Sequence, residues 1–189
     1  MDADAIKTVS AAIKKRLDDV LGTDAVYIGP LDDENSKDHA MVLFLYRVAV
    51  NADLRNAPHL VPSPIAGDPP IETDRALPLD LYYLLTAGDP QTGGEPTALG
   101  TLGKAMQALN DWPNFTGASL KGETVRLTLD PLTSEEMSRI WTLFPTANYR
   151  TSVVYLATPV WLDPAVFVPP GAAVVREPHR IGERNDVSP

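Results

Sequence analysis

Apolar residues recur at Ile6, Val9, Ile13, Leu17, Val20 and Leu21, at spacings of three and four. That period predicts an amphipathic first helix. Asp2 and Asp4 favour its positive end, and Gly22 suits its C-terminal cap. Ala25 to Ile28 reads as a short strand, and the run DDENSKD (32–38) as polar and turn-like. Met41 to Val50 (MVLFLYRVAV) is apolar on both faces, the pattern of a strand central in its sheet. Leu79 to Thr86 (LDLYYLLT) is strand-like again. Between them lies segment 51–78 with six prolines, read as a loop; loops beyond about 12–15 residues carry function or disorder.

After the turn cluster GDPQTGGEPT (88–97), Ala98, Leu99, Leu102, Ala105, Met106 and Leu109 mark a second helix ending near Asn110 and Pro113. Val125, Leu127 and Leu129 alternate with Thr124, Arg126 and Thr128, the signature of a half-buried antiparallel strand. A third helix opens with a capping box: the Thr133 hydroxyl faces the amide of Glu136, whose carboxylate reaches back. Leu132 and Met137 form the hydrophobic staple around that cap, and Met137, Ile140, Trp141 and Phe144 follow at helical spacing before Pro145. Thr151 to Ala157 is a β-branched and aromatic strand. From Asp163 the composition shifts to a tail with five prolines and one short strand-like run, Ala172 to Arg176. This divides the chain into a domain over 1–162, carrying the 51–78 loop, and a proline-rich arm over 163–189.

Composition narrows the partners more than the fold. At 189 residues, 44% hydrophobic and 22% charged, the chain has ordinary globular usage. A formal charge of -9 opposes a nucleic-acid backbone and repels anionic membranes. There are no cysteines, so neither disulfides nor thiolate metal sites are available. That absence of cysteine points to synthesis in the cytoplasm; the first residues lack the order of a signal peptide, and no apolar run approaches the ~20 residues of a spanning helix. Prolines number 18, about twice the usual share.

Candidate chemistry is thin. GTLGKA (100–105) has alanine at 98 and 105, where a phosphate loop needs glycine and Ser or Thr. His39, His59 and His179 are far apart and in no metal-ligand spacing, and no Gly-x-Ser-x-Gly elbow supports a hydrolase. Asp18-Asp19, Asp32-Asp33-Glu34 and Glu135-Glu136 read as solvated surface or helix caps. Trp112, Trp141, Tyr149 and Tyr155 read as core. Trp161 and Phe167 sit in or beside the tail, where a monomer offers little to bury them, so they read as anchors for a protein partner. No catalytic, cofactor-binding or metal-binding residue is assigned.

Four stretches together resemble one family: VLFLYRVAVNADLRN (42–56), LPLDLYYLLTAGD (77–89), ALGTLGKAMQAL (98–109) and LTSEEMSRIWTLFPTANYRTSVVYLATPV (132–160). They are similar to the cap, or tail-terminator, proteins of contractile injection systems, the phage-tail-like particles of bacteria. The resemblance spans most of residues 4–162 and departs in loop 51–78 and beyond Asp163. It implies a non-enzymatic protein without cofactors. The implied fold is α+β, a mixed, mostly antiparallel sheet flanked by about three helices as in phage tail terminators, with an extended C-terminal arm. The implied partners are its own copies in a six-fold ring, the inner tube protein and the last sheath layer, with neither nucleic acid nor membrane insertion. Asn51, Arg55 and Asn56 match the family's motif after the central strand, and either cap the strand end or bind a partner. Val174, Val175 and Arg176 offer a strand to a neighbouring subunit or to sheath. The alternatives are a small hydrolase or ligand-binding domain with a pocket under 51–78, or another ring of the same particle.

Overall fold

The computed structural model describes residues 1–61, 63, 67, 69–73, 75–88 and 94–165. The chain runs α1 (Ala5–Leu21), β1 (Val26–Ile28), a 3-10 turn (Glu34–Asp38), β2 (Met41–Val50), β3 (His59–Val61), β4 (Ile71–Thr73) and β5 (Leu77–Ala87). It continues through α2 (Gly94–Asp111), β6 (Asn114–Phe115), a second 3-10 turn (Ala118–Leu120), β7 (Val125–Leu129), α3 (Ser134–Trp141) and β8 (Ser152–Leu162). Six strands form one sheet in the order β1-β2-β5-β8-β7-β6, and β3 pairs β4 in a separate ribbon. Among the described residues only β1 and β2 are parallel, and the other pairs in both sheets are antiparallel; because β1 flanks just Met41–Leu43, β2, expected to be central, is an edge strand from Phe44 onward. This is the mixed, mostly antiparallel α+β architecture expected from the sequence.

The two faces of the sheet are covered unequally. On the first, Met41, Leu43, Leu81, Tyr83, Leu85, Val125 and Tyr155 are buried under α1 and α2. The α1 stripe Val9, Ile13 and Leu17 is at most 1% exposed, so each side chain contributes about 1.5–3 kcal/mol of apolar burial. Ser10 lies on the same side and shares a hydrogen bond of 2.8 Å with the Tyr83 hydroxyl. On the second face, Val42, Leu84 and Val154 pack under Ile140, Trp141 and Phe144. The short α3 covers only part of this face: Tyr46, Tyr82, Leu156 and Thr158 stay half-buried. The capping box at Thr133 and Glu136 is formed, and Leu132 and Met137 pack against the second cluster as the staple requires.

Several expectations need correction. Segment 51–78 is not without structure: a turn at 52–57 leads into the β3–β4 ribbon, which strand pairing across a short hydrophobic run permits despite the prolines. GEPT belongs to the first turn of α2 rather than to the turn cluster; Pro96 is tolerated there because no i→i−4 bond is lost. DDENSKD forms a 3-10 turn capped by the Asp33 carboxylate on Asn35 N. Trp112 and Tyr149 are not core, being 70% and 67% exposed, whereas Trp141 and Tyr155 are buried. The last strand extends to Leu162 and so includes Trp161.

Candidate assembly interface

The end of β2 is tied across three central strands by one side chain. Asn51 N donates to Pro78 O at 2.9 Å. Its side-chain Nδ2 donates to Asp80 Oδ1 on β5 (2.9 Å) and to Thr158 Oγ1 on β8 (3.2 Å). Its Oδ1 accepts from Asp53 N (3.1 Å) and Leu54 N (3.0 Å), turning the chain out of the sheet. Thr158 Oγ1 donates in turn to Asp80 Oδ1 at 2.5 Å. Asp80 stands where the β5–β8 register slips between Leu79 and Leu81, a bulge that frees its carboxylate for this tie. Asn51 is therefore a strand-end cap. Arg55 and Asn56 are exposed, and neither makes a side-chain hydrogen bond or ion pair among the described residues.

A second junction joins the ribbon to the root of the arm. The His59 ring, 5% exposed, lies stacked on Trp161 with centroids 4.3 Å apart and planes 13° apart. Nδ1 faces Asp163 Oδ1 at 3.1 Å and Nε2 faces Glu123 Oε2 at 3.4 Å. Glu123 Oε1 also accepts from the Met1 amine at 2.7 Å, and Asp163 Oδ2 from the same amine at 2.8 Å. Burial alone would raise the Glu123 pKa, but hydrogen bonds from His59 and the amine outweigh it and hold the carboxyl below its ordinary value. A hydrolytic His must present one nitrogen to a nucleophile; here both nitrogens face carboxylates, so the histidine clamps rather than catalyses. Among the described residues no grouping of His, Asp and Glu is arranged to hold a metal ion.

Trp161 thus has a packing partner that sequence reading did not foresee, the His59 ring, and is half-buried. The pairing joins residues 104 positions apart at the Asp163 contact, and no short-range signal encodes it. Phe167, Val174, Val175 and Arg176 lie outside the described residues. The structure does not bring Asn51 and Trp161 into one cluster; they belong to the two ties just described. On the second face, Tyr46 and Tyr82 rings stand 6.2 Å apart, with the Arg47 guanidinium 4.7 Å over Tyr82. Burial, with the Asp130 carboxylate next in effect, pushes the Tyr46 hydroxyl up to about 12, so it stays a neutral donor.

The sheet is thus sheltered on one face and half-open on the other, with clamped strand ends. The chain belongs to the Pvc16 N-terminal domain family, whose model matches residues 6–176. No curated protein matches it. Among solved structures, the sheath/tube terminator of the PVC extracellular contractile injection system, in its extended state, superposes with a TM-score of 0.59 at 20% identity. That match covers 97% of this chain and 65% of the other. The tube-terminating cap of the anti-feeding prophage AFP superposes with a TM-score of 0.57 at 19% identity, over 89% of this chain and 60% of the other. At such identities the likeness is one of fold, and the chain spans less than two thirds of each neighbour's length. The family agrees with the resemblance carried by the four sequence stretches.

Proposed function

We propose that this chain is a structural, non-enzymatic cap that terminates the inner tube of a contractile injection system. The observation that carries this reading is the family match over residues 6–176, joined to the fold shared with two terminator caps. In this reading six copies close into a ring on the end of the tube, touching the tube protein on one side and the last sheath layer on another. The protein is made in the cytoplasm and resides in the assembled particle.

The physics of termination fits the fold. A closed ring needs heterologous contacts between two different surfaces of one chain. A terminator must also refuse further growth; the outermost strands are short, three residues in β1 and two in β6, while the flank of β2 beyond Leu43 stays open to a partner strand. The exposed Arg55 and Asn56, on the turn beyond the Asn51 cap, contact tube or a neighbouring copy. Residues 163–189 act as an arm that docks on an adjacent chain, with Val174, Val175 and Arg176 adding a strand to a neighbour or to sheath.

Electron micrographs of particles from cells with and without the gene test this directly. Tubes of uncontrolled length with no density at their distal end are expected in the deletion. Tubes of normal length with a normal blunt end would overturn the proposal.

A further inference from the structure

The outer flank of β2 is bare over most of its length. β1 pairs only with Met41–Leu43, and no other described strand lies beside Phe44–Val50 on that side. Asn51 N donates inward to Pro78 O, so backbone alternation turns the N–H and C=O groups of Val48 and Val50 outward. The register with β5 slips between Leu45 and Arg47, a bulge at Tyr46 that bends the strand ahead of this stretch. From Tyr46 to Val50 there is no proline and no lysine, residues that commonly blunt an edge. The one charge, Arg47, is laid over the Tyr82 ring at 4.7 Å. Val48 and Val50 are 46% and 45% exposed. They stand opposite Leu81 and Leu79 of the first-face core, so they form an uncovered apolar fringe of that core.

Unpaired main-chain groups beside exposed apolar side chains make a template for another strand. The edge is complementary to itself. When two copies run antiparallel about a two-fold axis at Val48, Val48 of one stands opposite Val48 of the other. Tyr46 then meets Val50, and Arg47 meets Ala49. These are aromatic–β-branched and apolar pairs, and no like charges stand directly opposed. The outward groups of Tyr46, Val48 and Val50 are the ones that exchange hydrogen bonds in this register. The four valines of the two copies meet on the first-face side and close the fringe. Moving the axis to Arg47 would set two guanidinium groups against each other. Moving it to Ala49 would run the partner into the turn that Asn51 makes with Asp53 and Leu54.

From this we infer that the free chain pairs with a second copy through Tyr46–Val50 of β2, as a two-fold antiparallel strand pair. The inference does not rest on the capping reading. An isologous contact is not the head-to-tail contact of a six-fold ring, so the pair is the state of the chain before it enters an assembly. A contact this small is reversible. It shields the edge in solution and releases it to a partner strand on assembly.

Sedimentation of the full-length protein over about 1–100 µM should show the parent shifting from monomer to dimer. Val48→Lys should stay monomeric across that range and melt with the parent, because the residue is exposed and its amide points away from β5. The chain has no cysteine, so Val48→Cys gives an independent reading. Across the axis its Cα atoms lie about 5.5 Å apart, within the span of a disulfide. It should oxidise to a linked dimer at least about tenfold faster than Trp112→Cys, whose site is 70% exposed, because pairing raises the local thiol concentration. A parent that is monomeric throughout would overturn the inference and leave the edge to a different chain. An oligomer that Val48→Lys leaves intact would overturn it too, as would Val48→Cys linking no faster than Trp112→Cys. If Val48→Lys does not fold, the Val48→Cys comparison decides.

Discussion

Replacing Asn51 by alanine separates the two roles that its sequence context allowed. The side chain makes four hydrogen bonds: to Asp80, to Thr158, and from the amides of Asp53 and Leu54. The bond to the carboxylate is worth about 1.5–3 kcal/mol net, and the neutral ones about 0.5–1.5 kcal/mol each when fully shielded. The site is only partly buried, and the Asp53 amide is exposed, so water replaces some of these bonds in the variant. A loss of about 2–3 kcal/mol is therefore expected. For a domain of this size that is a fall in Tm of about 4–12 °C. Asn51→Asp should do at least as badly, because it sets a second carboxylate against Asp80 where an amide donor stood at 2.9 Å. Arg55→Ala, by contrast, removes no recorded side-chain bond and should leave Tm within about 2 °C, while reducing the fraction of capped tubes. Thermal unfolding followed by circular dichroism, run beside tube-length measurements, reads both quantities. If Asn51→Ala melts with the parent, the tie across β2, β5 and β8 is not what holds this end. If Arg55→Ala both folds and caps normally, its match to the family motif has no part in docking.

Three other perturbations test contacts elsewhere in the fold. Glu123 has a folded pKa below its ordinary 4.5, so its stabilisation is complete above that value and is lost as pH falls through the folded one; the parent should lose Tm more steeply than Glu123→Gln between about pH 5 and about pH 3, and parallel curves would refute the clamp at His59. Gly88→Ala would place a Cβ 1.8 Å from the His39 carbonyl oxygen, in backbone that already receives the Gly88 N–H at Ala40 O; it should cost at least about 1–3 kcal/mol or abolish soluble expression, and a parent-like melt would contradict the packing there. Thr133→Ala removes the α3 cap and should cost about 1 kcal/mol, read as a drop of about 2–4 °C; no change would mean that the staple of Leu132 and Met137 alone holds the helix start.

What was legible in the sequence was what local periodicity encodes. The α1 stripe and the capping box of α3 each follow from residues within one or two turns of one another, whereas β2, read as central from its apolar run, has strands on both sides only over Met41–Leu43. Trp161 shows the limit. Its neighbours in sequence are tail-like, so it reads as an unburied anchor, yet its ring is met by His59 from a ribbon a hundred residues earlier. Trp112 and Tyr149 fail for the opposite reason: aromatic identity favours burial on average, and only the end of α2 and the turn after α3 decide that these two face outward. The ribbon itself was hidden because prolines mask short pairings. Asn51 was visible as a motif position, but its choice between cap and contact depended on Asp80 and Thr158, which no spacing rule brings together.

In the proposed capping role, the placement of the two ties matters for docking. A surface that must match a rigid, repeating tube end gains affinity when little freedom remains to be lost on docking. Asn51 fixes the turn that carries Arg55 and Asn56, and the His59–Trp161 stack with Glu123 and Asp163 fixes the point where the arm departs. The second anchor also ties down the chain ahead of α1, since the Met1 amine meets both Glu123 and Asp163, so each contact surface departs from a fixed base.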